Sequence, residues 1–265
     1  MDKPSYIRNF GMKAWVILVE LLLLVSCDNA IYDDEGDCSV TYHLKFRYDM
    51  NMKFADAFTH EVKSVRLYAF NSNGELVWQA DEQGEILASG DYHLMAWCGL
   101  DNGESFTVTD ASHNCRMTDL HCKLNRYLDK ATGVSYSNKD LHPLFHGSLD
   151  VSLPANDDGG DYTYVMPLTK DTNVLRVVLQ HLSGQDINVD DFTFSIEDRN
   201  GWIAHDNTLK EDEPIVYRAW STYSGEAGVD IATGKESRVT TIVKVAVAEL
   251  TVSRLVLRDW SLYSR

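Results

Sequence analysis

The sequence predicts an all-β protein of two sandwich domains in tandem, and three observations carry that expectation. Val40-Thr41-Tyr42-His43-Leu44-Lys45-Phe46-Arg47-Tyr48 alternates apolar and polar residues without a fault, which is the period of a half-buried strand. Turn signals recur between short apolar runs, at Asn71-Ser72-Asn73-Gly74 and again at Asn200-Gly201. Val, Thr and Tyr are abundant while Pro is scarce, at 5 of 265 residues, a composition that suits strands. Short strands at regular spacing with turn residues between them are the pattern of sandwiches.

The first residues read as a removable segment. Lys3, Arg8 and Lys13 give a positive start, and Val16 to Val25 form an apolar run of about the length of a signal core. A spanning helix needs about 20 apolar residues, more than this run supplies. Leu24-Val25-Ser26-Cys27 closes the run and resembles the lipobox of a bacterial lipoprotein. That pattern places signal cleavage between Ser26 and Cys27 and a lipid on Cys27. Residues 1–26 are then the signal peptide, and 27–39, with Asp33-Asp34-Glu35-Gly36-Asp37, an acidic tether. Two or three acyl chains on one cysteine hold firmly, whereas one holds marginally.

Beyond the tether come the strands. After 40–48, the stretch Met52 to Thr59 breaks the alternation and reads as a crossover. Val62 to Phe70 is strand-like, and Leu76-Val77-Trp78 returns after the turn at 71–74. Tyr92 to Trp97 and Ser105 to Thr109 bracket the turn-rich Gly99-Leu100-Asp101-Asn102-Gly103. Met117, Leu120 and Leu124 fall at helical spacing and predict a short helix near 115–126. Leu144 to Leu153 closes the first unit, and Pro154 to Asp161 has the composition of a linker. In the second unit, Asn173 to Leu182 is a β-branched run. Phe192 to Ile196 then meets the turn at Asn200-Gly201 as a hairpin, and Thr240 to Leu250 and Thr251 to Leu257 add two strands. The predicted domains are 40–160 and 161–265. The second has about four strands and stops eight residues after Leu257, so an incomplete, truncated sandwich is expected.

The formal charge is −16, and removal of 1–26 takes away three bases and two acids, leaving about −17. Affinity for phosphate backbones comes from Lys and Arg, so a nucleic-acid partner is not expected. With Cys27 assigned to the lipid, Cys38, Cys98, Cys115 and Cys122 remain as candidate disulfide cysteines, with buried free thiols the equal alternative. His113, Cys115, His121 and Cys122 lie within ten residues, yet their spacing matches no usual zinc pattern. Pro143 between His142 and His146 argues against a helix presenting both to a metal. Asn156 to Asp161 lacks the spacing of a calcium loop. Nucleophile elbows, phosphate-binding loops and dinucleotide fingerprints are absent from the sequence. No metal, no cofactor and no enzymatic activity are expected. Trp78, Trp97, Trp202 and Trp220 sit in or beside strands, where core packing is the default and a sugar-stacking platform the alternative.

Residues spread along the chain carry a family resemblance. They are Cys27 with Ile31-Tyr32-Asp33-Asp34, then Phe46 to Asn51, Val65-Arg66-Leu67-Tyr68 with Asn73-Gly74, and Ala96-Trp97. Leu100-Asp101-Asn102-Gly103, Leu144-Phe145-His146-Gly147 and Asn173 to Leu182 continue it, to about Leu257. In these features the chain resembles the FimB-type fimbrial anchor subunits, lipoproteins that end Bacteroides-type (type V) pili. The resemblance implies two tandem transthyretin-like β-sandwich domains, a surface-exposed position on the outer membrane, and fimbrial stalk subunits as partners. It implies assembly by donated strands, in which main-chain hydrogen bonds give affinity and alternate side chains specificity. Stalk subunits of such pili lose their first strand by proteolysis, whereas an anchor keeps it and stops growth. The expected function is therefore a pilus anchor or terminating subunit; the alternative is a glycan-binding surface lipoprotein that uses exposed aromatics.

Overall fold

The structure is a computed structural model and describes residues 40–81, 88–100, 103–109, 115–155, 160–181, 183–232 and 238–255. Its first elements are β1 (Val40–Arg47), α1 (Phe58–Glu61), β2 (Val65–Phe70), β3 (Leu76–Asp81), β4 (Gly90–Cys98) and β5 (Phe106–Val108). Then follow β6 (His121–Leu124), β7 (Tyr127–Leu128), β8 (Ser135–Ser137), β9 (Phe145–Leu153), β10 (Gly160–Lys170) and β11 (Thr172–Leu179). The last are β12 (Ser195–Asp198), β13 (Trp202–Ala204), β14 (Ile215–Arg218), β15 (Ser221–Ala232) and β16 (Arg238–Ser253). The expected all-β class is what the chain adopts. Two compact units are distinguished, Met1–Thr41 with Ala155–Tyr162, and Tyr42–Pro154 with Thr163–Arg265. The packing described below belongs to the second.

Among the described residues four sheets are formed, in the orders β1-β10-β9-β4-β2-β3, β11-β16-β15, β12-β14-β8-β7 and β13-β6-β5. The largest is built on the β4–β9 ladder, which runs from Gly90 opposite Leu153 to Cys98 opposite Phe145. Side chains on a strand alternate between faces, so each strand of this sheet serves two environments. On β2 and β4, Tyr68, Phe70, Met95 and Trp97 point into one core cluster, with Leu120, Ile203, Ile215 and Tyr217. The intervening Ala69, Leu94, Ala96 and Cys98 point into another, with Phe145, Met166 and Leu168. Strands from both sides of residue 160 share sheets. β13 pairs with β6 through Ile203 opposite Cys122, and β14 runs parallel to β8 through Val216 opposite Tyr136.

Three local expectations are corrected. The helix expected near 115–126 is a single 3-10 turn at Met117–Asp119 followed by β6. There Cys122 and Leu124 are buried and Lys123 is exposed, and pairing with β5 and β13 overrides the helical spacing. Asn200-Gly201 does not close a hairpin, because β12 pairs with β14 whereas β13 pairs with β6. A Cβ on Gly201 would sit 2.4 Å from Ile215 Cδ1, so this glycine answers to a close approach as well as to its turn. The two strands expected over 240–257 are one strand of 16 residues, β16, held between β11 and β15.

Candidate functional site

The first strand is the element on which the expected strand exchange would turn. β1 lies at one edge of the six-stranded sheet, beside β10. Its half-buried and exposed residues alternate along the whole strand, as the sequence pattern dictates. Tyr42, Leu44 and Phe46 pack onto the second core cluster, and Tyr48 is buried within it. The Phe46 ring stacks on Phe58 of α1 at 5.5 Å, and Tyr48 meets Phe145 edge-on at 5.0 Å. The Tyr42 hydroxyl donates to the Pro154 carbonyl, and Lys170 at the end of β10 pairs with Glu61 of α1 at 2.8 Å. Burial and the neighbouring Glu61 carboxylate push the Tyr48 phenol above its ordinary range. Strand, crossover and β10 are thus tied on the apolar face, while His43, Lys45 and Arg47 face solvent.

A second constellation sits where the sheets meet, and no motif in the sequence joins its members. Asp171, the single residue between β10 and β11, is fully buried, and its N–H donates to Leu144 C=O at 2.7 Å. The Asn207 side chain is set against its carboxyl, yet neither oxygen completes a hydrogen bond of ordinary geometry. Burial holds this carboxyl up at about 7, opposed by Asn207 and the Arg254 charge. Buried His146 contacts the His205 carbonyl at 2.8 Å through Nε2 and lies against Trp97 at 4.6 Å. Burial pushes it down to about 4, which leaves a neutral imidazole donating from Nε2. Asn200 completes the junction. Its amide donates to the Ser253 and Arg254 carbonyls at 3.3 and 3.0 Å, and its oxygen accepts from Tyr217 at 2.6 Å. Side chains far apart in sequence meet here, so no local motif announces them.

Of the residues singled out from sequence, Ser26, Cys27, Cys38 and His113 lie outside the described residues. Cys98, Cys115 and Cys122 are buried, and their thiols are free among the described residues. Burial pushes Cys98 up to about 12 and raises Cys115 and Cys122 as well, with the Asp119 charge adding to the rise at Cys115, which disfavours the thiolate at all three. No cluster of three metal-ligating side chains occurs among the described residues. Residues 156–159 of the acidic loop are outside them too. Trp97 is fully buried, and Trp78, Trp202 and Trp220 are half-buried. Trp202 carries Lys123 at 4.0 Å and Lys210 at 5.0 Å over its ring.

Comparison with known proteins fits this arrangement. Among solved structures, a candidate adhesin of Bacteroides thetaiotaomicron is 31% identical with a TM-score of 0.67, over 86% of this chain and 75% of the other. A candidate polysaccharide-binding protein of the same species is 25% identical with a TM-score of 0.62, over 82% and 72%. The fimbrial anchor protein Mfa2 of Porphyromonas gingivalis shares the fold at 15% identity, with a TM-score of 0.55 over 81% and 73%. No curated relative matches the chain. The model of the family described as fimbrillin-A associated anchor proteins Mfa1 and Mfa2 matches residues 34–261, and the chain belongs to that family.

Proposed function

We propose that this chain is the terminating anchor of a fimbria, tied to the outer membrane by a lipid on Cys27 and joined to stalk subunits by β-strand complementation. The observation that carries the reading is the seat of β1. The strand lies at the sheet edge with Tyr42, Leu44 and Phe46 packed on the core. A subunit that keeps its own first strand leaves no groove there for a neighbour's strand, so growth stops at it. Main-chain pairing elsewhere then joins it to the stalk. The role asks for no catalysis. The lipobox supplies the tether, since a multiply acylated cysteine is an anchor in its own right.

Two measurements test the reading. Palmitate labelling of the expressed chain is lost on Cys27→Ala; undiminished labelling removes the anchor. Purified stalk subunit is captured by the full chain; capture of oligosaccharide with no capture of stalk subunit favours the glycan-binding alternative. That alternative draws support from the similar candidate polysaccharide-binding protein. It finds little in the described tryptophans, none of which is an exposed platform.

A further inference from the structure

Two lysines converge on Trp202 from opposite sides. Trp202 opens β13, where it lies opposite Lys123 of β6. Beyond β13 the chain doubles back, through a bridge between Ile203 and Leu209, and the Lys210 N–H donates to the Trp202 carbonyl at 2.9 Å. Backbone pairing thus sets one lysine on each side of the tryptophan. Their ammoniums stand 4.0 and 5.0 Å from the centre of its ring. Among the described residues neither lysine forms an ion pair. The indole N–H is buried and makes no hydrogen bond, a state that folded proteins seldom leave unanswered. His121, on the same face of β6 as Lys123, lies 5.1 Å from the ring. Burial holds its imidazole below the ordinary range, and the Lys123 and Lys210 charges lower it further, against the Asp119 carbonyl and carboxylate.

Both lysines and the tryptophan line an open cleft of about 860 Å³, within the size of small-ligand sites. Arg126 and Arg199 line it too, so its bases outnumber its acids in a chain where 24 bases meet 40 acids. Of the acids, Asp212 is already engaged. Its carboxylate accepts from both Nη atoms of Arg126 at 2.9 and 2.7 Å, and its carbonyl from Arg199 at 3.2 Å. Glu211 and Glu213 are exposed, where water and salt screen them.

We infer that this cleft binds a single oxyanion group, the carboxylate or phosphate of a small ligand, with Lys123 and Lys210 supplying the charge. The inference is independent of the anchor reading. Two ammoniums without a carboxylate partner offer donors that only an acceptor from outside the described residues can use, and charge-assisted bonds are the strong ones. Like charges gathered at one ring repel each other, and an anion between them relieves that cost. The rest of the chain limits how large the anion is. At −16 it repels an extended polyanion or an anionic membrane surface, whereas one oxyanion entering the cleft meets the local basic excess.

The test titrates the full chain carrying Cys27→Ser, by calorimetry at low salt, with sodium glucuronate, with glucose 6-phosphate and with glucose. At least one acidic probe is expected to bind and glucose is not; the probe that binds names the source of the oxyanion. Lys123→Met/Lys210→Met keeps most of each apolar stem, and an unchanged unfolding midpoint verifies its fold. It should weaken binding at least about tenfold, the worth of one hydrogen bond to a charged group. His121 gives a reading that needs no variant and decides the matter where the double variant does not fold. A bound anion offsets the two lysine charges, so the His121 titration midpoint, followed by NMR, rises when the bound probe is at saturation. Binding of neither acidic probe, equal binding of glucose, equal binding by the folded double variant, or a His121 midpoint unmoved by the bound probe overturns the inference.

Discussion

Asp171 and His146 place opposite demands on the same junction, and replacing each alone should tilt stability with pH in opposite directions. The buried Asp171 carboxyl titrates at about 7 in the fold against the usual 3.8. Below about pH 4 it is neutral in both states and costs nothing. As the pH rises, the unfolded chain ionises while the fold resists, so stability is lost progressively and the full cost is reached above pH 7. A gap of about three pH units corresponds to about 4 kcal/mol. His146 runs the other way, titrating at about 4 in the fold against the usual 6.5. Its cost is largest below pH 4, at about 3 kcal/mol, and vanishes above pH 6.5. Both are costs, but their pH dependences oppose each other, so the summed cost in the parent changes little between pH 4 and 7. Asp171→Asn retains the volume and the contact with Asn207, and should gain almost nothing at pH 4 and up to about 4 kcal/mol at pH 8. His146→Gln retains a donor for the His205 carbonyl, and its stability relative to the parent should fall by about 3 kcal/mol over the same rise. Urea unfolding at pH 4.5, 6 and 8 reads both differences. Differences from the parent that stay constant within about 1 kcal/mol across that range would mean that neither group titrates as the fold requires.

Three further substitutions or measurements follow from contacts in the fold. Asn200→Ala leaves the Ser253 and Arg254 carbonyls and the Tyr217 hydroxyl unpaired in a buried site, and should cost about 3 kcal/mol in urea unfolding; a loss below about 1 kcal/mol contradicts the role given to Asn200. Gly99 has φ +80, and a Cβ there would lie 1.8 Å from the Pro143 carbonyl oxygen, so Gly99→Ala should cost at least about 3 kcal/mol, read as a fall in the unfolding midpoint. Site-resolved alkylation at pH 8 should spare Cys98, Cys115 and Cys122 in the fold and modify all three in urea; rapid modification of the folded chain, or a disulfide between any two of them, is the contrary result.

The parts of the fold legible in the sequence are those whose burial is one-sided and local. β1 alternates because its one face meets the core and the other meets water, and the pattern survives intact in the structure. The turn at 71–74 is legible because Gly74, at φ 74, supplies a conformation its neighbours avoid. β15 was not legible. Gly225 and Gly228 and its serines are poor strand formers, and Gly225 is small because Val245 and Val247 methyls come within 3.3 Å of where a Cβ would be. β16 reads in the sequence as two strands because its 16 residues far exceed the usual strand length of about five or six. Asn200 was read as turn chemistry, whereas its side chain is spent on carbonyls more than 50 positions away. The junction of Asp171, His146 and Asn207 is invisible to any local pattern, since each residue reads singly as an ordinary loop or strand polar group. Met52 to Phe54 read in the sequence only as part of a break in alternation, and Met50 only as part of the family resemblance, because exposure is a property of the fold rather than of the string.

As the proposed anchor, this chain holds a fimbria to the cell through Cys27. Fimbriae shed into the medium, measured against those retained on cells, test it most directly in strains lacking the chain and complemented with the parent or with Cys27→Ala. Fimbriae are expected free in the medium without the chain and with Cys27→Ala, and on the cell with the parent. Fimbriae retained equally in all three strains would contradict it.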